Sequence, residues 1–126
     1  MIFGVGTDIV AIARVQAMHE CHGERFSQRI LAPEELSEYA LSQQQPHFLA
    51  KRFAAKEAFA KAVGTGMRAP VHFHAIRIAH DSLGRPVLAY AAELDAWLRQ
   101  QGVGPAHLSL SDEREFAVAF VVLEKA

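Results

Sequence analysis

The apolar positions along the chain change period several times, and each change predicts an element. Ile2 to Val10 (Ile-Phe-Gly-Val-Gly-Thr-Asp-Ile-Val) is short, apolar and β-branched, the pattern of a buried strand. Gly4 and Gly6 weaken that strand and point to another backbone or a ligand approaching closely. Helical spacing follows from Ile12 to about His19 and from Glu24 to Ile30. Ala32-Pro33-Glu34-Glu35-Leu36 starts a third helix, with Pro in its first turn and acids near the positive end of its dipole. This helix runs to about Leu41, and Ser42 to Pro46 reads as a polar loop.

The longest helical pattern runs from about Pro46 to Val63. Alanine, the best helix former, occupies positions 54, 55, 58, 60 and 62, and Gly64 is the stop signal. At about 100° per residue, Leu49, Phe53, Phe59, Ala60 and Val63 share one side. The opposite side is nearly all alanine and suits close packing against another element. Lys56 sits near the middle of the apolar arc, where it needs a partner or a snorkelling route to water.

Phe73 to His80 and Val87 to Tyr90 read as an antiparallel hairpin across the turn Asp81 to Pro86. Ala91 to Gln101 is a helix with Leu94, Trp97 and Leu98 on its buried side. His107 to Ser111 and Phe116 to Leu123 form two final strands, with Val118, Phe120, Val122 and Leu123 as core candidates. Strand, helices, hairpin, helix, hairpin is the order of an α+β fold with an antiparallel sheet, not of a doubly wound one.

Composition narrows this picture. A chain of 126 residues, 51% hydrophobic and 21% charged, suits one globular domain spanning 1–126. A net charge of −1 gives no global attraction to nucleic acid. Cys21 is the single cysteine, which excludes an intrachain disulfide and a four-cysteine metal site. With no signal peptide and no long apolar run, the expectation is a cytoplasmic protein with no membrane segment.

Four features carry candidate chemistry. Asp8 is the only charge in its strand, and either caps the next helix or serves as a metal ligand. Glu57 and Lys61 are spaced i, i+4. They form either a surface ion pair or a carboxylate and an amine aimed at one polyphosphate, with a metal on the carboxylate. Thr65 between Gly64 and Gly66 is a helix stop that can also bring backbone N–H groups near a phosphate. Arg14, Arg25 and Arg29, with Met18 and Phe26 among them, are either solvated charge or a docking patch for an acidic partner. His72 and His74 lack a third ligand candidate nearby and make a poor case for metal.

Gly4-Val5-Gly6-Thr7-Asp8-Ile9-Val10, Arg52 to Gly66 and Leu108-Ser109-Leu110-Ser111 occur in order and at matching separations. Together with Arg25-Phe26 and Gly84-Arg85-Pro86, they resemble the small bacterial holo-[acyl-carrier-protein] synthases over essentially the whole chain. The resemblance implies a transferase that moves the 4′-phosphopantetheine arm of coenzyme A to a serine of apo acyl carrier protein, with Mg²⁺, in support of fatty acid biosynthesis. It implies Asp8 and Glu57 as metal ligands, Glu57, directly or through a metal-bound water, as base for the incoming serine, and Lys61 near the coenzyme A phosphates. It further implies Arg52, Lys61, Thr65, Gly66, Gly84, Arg85, Pro86 and Ser111 as coenzyme A contacts. Arg14, Met18, Arg25, Phe26 and Arg29 match the carrier-protein docking region. The family assembles as a trimer with sites at the subunit interfaces. One departure stands out: Asp112 lies where the family usually has a histidine near the coenzyme A phosphates. A non-catalytic coenzyme A-binding regulator and a purely structural protein are the alternatives. The first is expected to lose one of Asp8, Glu57 and Lys61, and the second leaves Asp8 and Lys56 without a purpose.

Overall fold

The computed structural model describes residues 1–126. Its elements run β1 (Ile2–Ala11), α1 (Ile12–His22), α2 (Glu24–Ile30), a 3₁₀ turn (Pro33–Glu35), α3 (Leu36–Leu41) and α4 (Gln45–Val63). A second 3₁₀ turn (Phe73–Ala75), β2 (Ile76–His80), β3 (Pro86–Tyr90), α5 (Ala92–Gln100), β4 (Val103–Asp112) and β5 (Phe116–Lys125) complete the chain. The α+β reading holds, but the strands divide into two antiparallel sheets. One has order β1-β5-β4, and the other is the β2-β3 hairpin. The segment 73–75 belongs to a 3₁₀ turn and not to the strand that follows.

Helix α4 lies across the larger sheet and is buried on both sides. Its apolar arc holds Leu49 and Phe59, and its alanine side meets β1. The glycines of β1 make that contact possible. A Cβ on Gly4 would run into the carbonyl oxygen of Ala62, and one on Gly6 into the carbonyl oxygen of Ala58. The strand therefore settles directly on the helix backbone, as two glycines facing an alanine stripe suggest.

Register decides which residues of β5 face the core. Gly6 pairs with Val121, Asp8 with Ala119 and Val10 with Ala117, and this parity faces α4. Ala117, Ala119, Val121 and Leu123 are buried. Of the expected core residues, only Leu123 has this parity. Val118 and Val122 are half-buried, and Phe120 remains 46% exposed. The reason is that β5 is apolar on both faces, so alternation alone does not select one. The outer face carries Val5, Ile9, Phe116 and Phe120, all substantially exposed.

Lys56 takes the first of its two expected routes, a partner. It does not snorkel, because its side chain is fully buried. Its amine donates to Glu35 Oε1 at 2.5 Å, to Ile30 O at 2.8 Å and to Phe73 O at 3.0 Å. An ammonium has three donors, and all three are used.

Candidate active site

Strand β1 and helix α4 bring the two carboxylates together. The parity of β1 that settles Gly4 and Gly6 on α4 turns Asp8 toward the same helix. Lys61 reaches back from α4 to Asp8 Oδ1 and to the Thr7 carbonyl oxygen, each at 3.0 Å. The i, i+4 partner that spacing suggested for Lys61 is thus replaced by a carboxylate from another element. Asp8 Oδ2 is buried and has no hydrogen-bond partner. Burial pushes the Glu57 carboxyl above its ordinary value, the negative charge of Asp8 adds to this, and Lys61 partly offsets it. A carboxylate destabilised by a second carboxylate, beside an unpartnered carboxylate oxygen, is an arrangement that a cation relieves.

The donor set fits Mg²⁺, which takes oxygen ligands and usually one or two protein carboxylates, with phosphate and water completing the shell. No third His, Cys, Asp or Glu joins these two in a metal-binding group. Asp8 and Glu57 would hold the ion, and the remaining ligands would come from a bound phosphate and water.

Glu57 also lines a cleft of about 680 Å³ with Met18, His22, Arg25, Phe26, Arg29 and Ile30, closed by Phe53 and Phe73. The two phenylalanine rings stack with centroids 5.7 Å apart. Arg14 flanks a smaller hollow of about 110 Å³ that shares Met18, Phe26 and Phe53 with the first. Met18, Arg25, Phe26 and Arg29 therefore share one cleft with the expected base, and Arg14 lines the adjoining hollow. An acidic partner seated against Arg25 and Arg29 would face Glu57 across an apolar floor.

Apart from Arg52, the expected coenzyme A contacts fall in three places. Thr65 and Gly66 follow Lys61 at the end of α4, where Gly64 and Gly66 take positive φ and the Gly66 N–H donates to Ala60 O at 3.3 Å. Ser111 pairs with Val118 on the outer sheet face, opposite in parity to Asp8. Gly84 and Arg85 lie on the β2-β3 turn, where Arg85 pairs with Asp81 at 3.7 Å, Pro86 opens β3 opposite His80, and none of the three lines the cleft.

Arg52 departs from the sequence reading. It is only 4% exposed, and its guanidinium donates to Glu35 Oε2 at 2.7 Å, Glu38 Oε1 at 2.9 Å and Ile78 O at 3.0 Å. It also lies over the Phe48 ring at 4.4 Å. It is therefore not a free cation waiting for a phosphate. Asp112 lies within 3.9 Å of Lys51, so a cation offsets it.

Sequence reasoning missed Glu35. Its carboxylate receives Lys56, Arg52, the Ala32 N–H and the Ile78 N–H. The available signal was Lys56, since a lysine in an apolar arc implies a buried carboxylate elsewhere. Phe53, Phe73 and His22 were also missed as cleft residues: periodicity marks Phe53 only as apolar, and nothing local marks the other two.

Residues 4–121 match the model of the 4′-phosphopantetheinyl transferase superfamily. A holo-[acyl-carrier-protein] synthase of Nitrosomonas eutropha is 54% identical over 99% of this chain and 100% of its own. The crystal structure of the Neisseria meningitidis holo-[acyl-carrier-protein] synthase superposes with a TM-score of 0.97 at 51% identity, covering 99% of this chain and 100% of that one. The Bacillus anthracis synthase, crystallised in complex with CoA (3′,5′-ADP), has a TM-score of 0.83 at 38% identity over 100% of this chain and 99% of its own.

Proposed function

The chain belongs to the 4′-phosphopantetheinyl transferase superfamily, and on that premise we propose how its residues divide the work. The protein is a transferase that moves the 4′-phosphopantetheine group of coenzyme A to a serine of apo acyl carrier protein, releasing adenosine 3′,5′-bisphosphate. Attack of the serine hydroxyl on a pyrophosphate phosphorus builds negative charge on oxygen, so the site must supply positive charge and orientation.

Glu57 faces the cleft from which the serine arrives, and its carboxylate takes the hydroxyl proton. Its raised proton affinity makes it a stronger base than an ordinary carboxylate. Asp8 positions Lys61 through Oδ1 and keeps Oδ2 free. Lys61 neutralises charge on the leaving bisphosphate or donates a proton to it. Asp8 and Glu57 would hold Mg²⁺, which when bound would neutralise charge at the pyrophosphate. Thr65 and Gly66 offer polar groups to the phosphates beside Lys61. Arg14, Arg25 and Arg29 steer the acidic carrier protein, and Met18 and Phe26 anchor it.

The working form in this reading is a homotrimer in the cytoplasm. The exposed apolar outer face of the larger sheet supports assembly. So do the outward face of Ser111 and the place of Gly84, Arg85 and Pro86 outside the cleft, from which they can serve a neighbour's site. No helix is long and apolar enough to cross a membrane.

The observation that carries the mechanism is the pairing of Asp8 with Lys61 beside Glu57, which in turn lines the cleft. Its test is intact-mass spectrometry of an apo carrier protein incubated with the chain, coenzyme A and Mg²⁺. A gain of one phosphopantetheine mass is expected with the wild type, none with EDTA, and none with Asp8→Ala or Glu57→Ala. Near-normal transfer by either variant would remove the metal assignment. Coenzyme A binding without transfer by the wild type would favour the regulator reading.

A further inference from the structure

Two side chains meet the carbonyls in the last turn of α2: the His74 ring bonds Gln28 O from the 73–75 turn, and Lys56 alone reaches there from α4. The last carbonyls of a helix lack intrahelical partners and must find others when buried. Ile30 is buried, and its carbonyl oxygen accepts from Lys56 Nζ of α4 at 2.8 Å. The same amine donates to the Phe73 carbonyl oxygen at 3.0 Å. Ile30 and Phe73 both line the cleft, on the wall that carries Arg25, Phe26 and Arg29 and on the wall beside Phe53. Glu35 supplies the charge that keeps the amine buried there. Lys56 is also the chain neighbour of Glu57.

We propose that Lys56 is a positioning residue for carrier-protein docking: from beneath the cleft, its amine ties α2 and the 73–75 turn to the helix that bears Glu57. The proposal rests on the transferase reading and deepens it. The amine touches neither substrate nor metal, because it is fully enclosed. Glu57 is held in place by α4 itself, whereas α2 is a seven-residue helix, too short to be stable without tertiary support. Loss of the tie therefore acts on the docking wall and spares the base.

The test uses Lys56→Met, which keeps the length and removes the donors, and Lys56→Met/Glu35→Gln, which also removes the negative charge that Lys56 offsets and leaves Arg52 its ion pair with Glu38. Steady-state kinetics with apo carrier protein and coenzyme A should show a carrier-protein KM raised about tenfold or more in the double variant. The kcat and the coenzyme A KM should stay within about twofold. Backbone amide exchange should accelerate in residues 24–31 and not in the centre of α4. A purely structural charge-balancing role predicts instead that the double variant recovers the wild-type KM, and that result would overturn the proposal. So would a fall in kcat at unchanged carrier-protein KM, which would place the effect on Glu57. If Lys56→Met fails to fold, the charge-balanced double variant carries the test. If the wild type transfers nothing, the transferase reading fails, while unaltered exchange in residues 24–31 of the double variant would separately reject the tie.

Discussion

Glu57 shows how much a single side chain owes to its setting. Burial and the nearby Asp8 raise its proton affinity above that of an ordinary carboxyl, which has a value of 4.5. The folded, metal-free chain therefore holds that proton to higher pH than the unfolded chain does. The sign follows: this group disfavours folding as pH rises through its raised value, and a bound cation offsets the cost. In a metal-free NMR titration the Glu57 carboxyl should titrate above its ordinary value, and Asp8→Asn should bring it down. An Asp8→Asn chain with an unchanged Glu57 titration would show that the two carboxylates do not interact. Transfer should fall on the acid side as Glu57 takes its proton.

At the scale of elements, the contact between β1 and α4 sets the site, because it is the contact that brings Asp8 to Lys61. Gly6→Ala places a methyl group against the backbone at Ala58 and Ala62. Forcing backbone apart costs about 1–3 kcal/mol or more, and a urea melt should show at least that loss, along with weaker transfer. The second junction is ionic. Burial alone would raise the Glu35 carboxyl, but Lys56, the Ala32 N–H and Arg52 outweigh it and hold the carboxyl below the usual range. A lowered carboxylate contributes stability that is present above about pH 4.5 and lost as pH falls through the folded value. Stability against urea should therefore drop in the acid range in the wild type, and Glu35→Gln should flatten that part of the profile. An equal drop in both would assign the acid sensitivity elsewhere.

The whole molecule presents one sheet face to α4 and leaves the other bare. Ile9 is 64% exposed, and Val5, Phe116 and Phe120 surround it across the register of β1 and β5. A face of that kind calls for a partner. Ile9→Glu is expected to shift the sedimentation coefficient from that of a trimer to that of a monomer. Transfer should fall with it, because Gly84, Arg85 and Pro86 would no longer reach a neighbour's site. A fully active monomer would show that one chain completes the site alone.

Element types and order were legible in the residues, because periodicity and stop signals are local: α4 was readable from its alanines and Gly64, and β1 from its β-branched run. Asp8, Glu57, Lys61 and the arginines of α1 and α2 were readable as candidates because charge in an apolar strand or on a helix face is a local anomaly. Tertiary structure decided what depends on distant partners. It turned Lys61 to Asp8, enclosed Lys56 and Arg52 around Glu35, divided the strands into two sheets, and chose Ala117, Ala119 and Val121 over Val118, Phe120 and Val122 for the core. The physical reason is the same in each case. A strand apolar on both faces, or a long cation that can reach several acceptors, has degenerate local choices, and only packing across the chain removes the degeneracy.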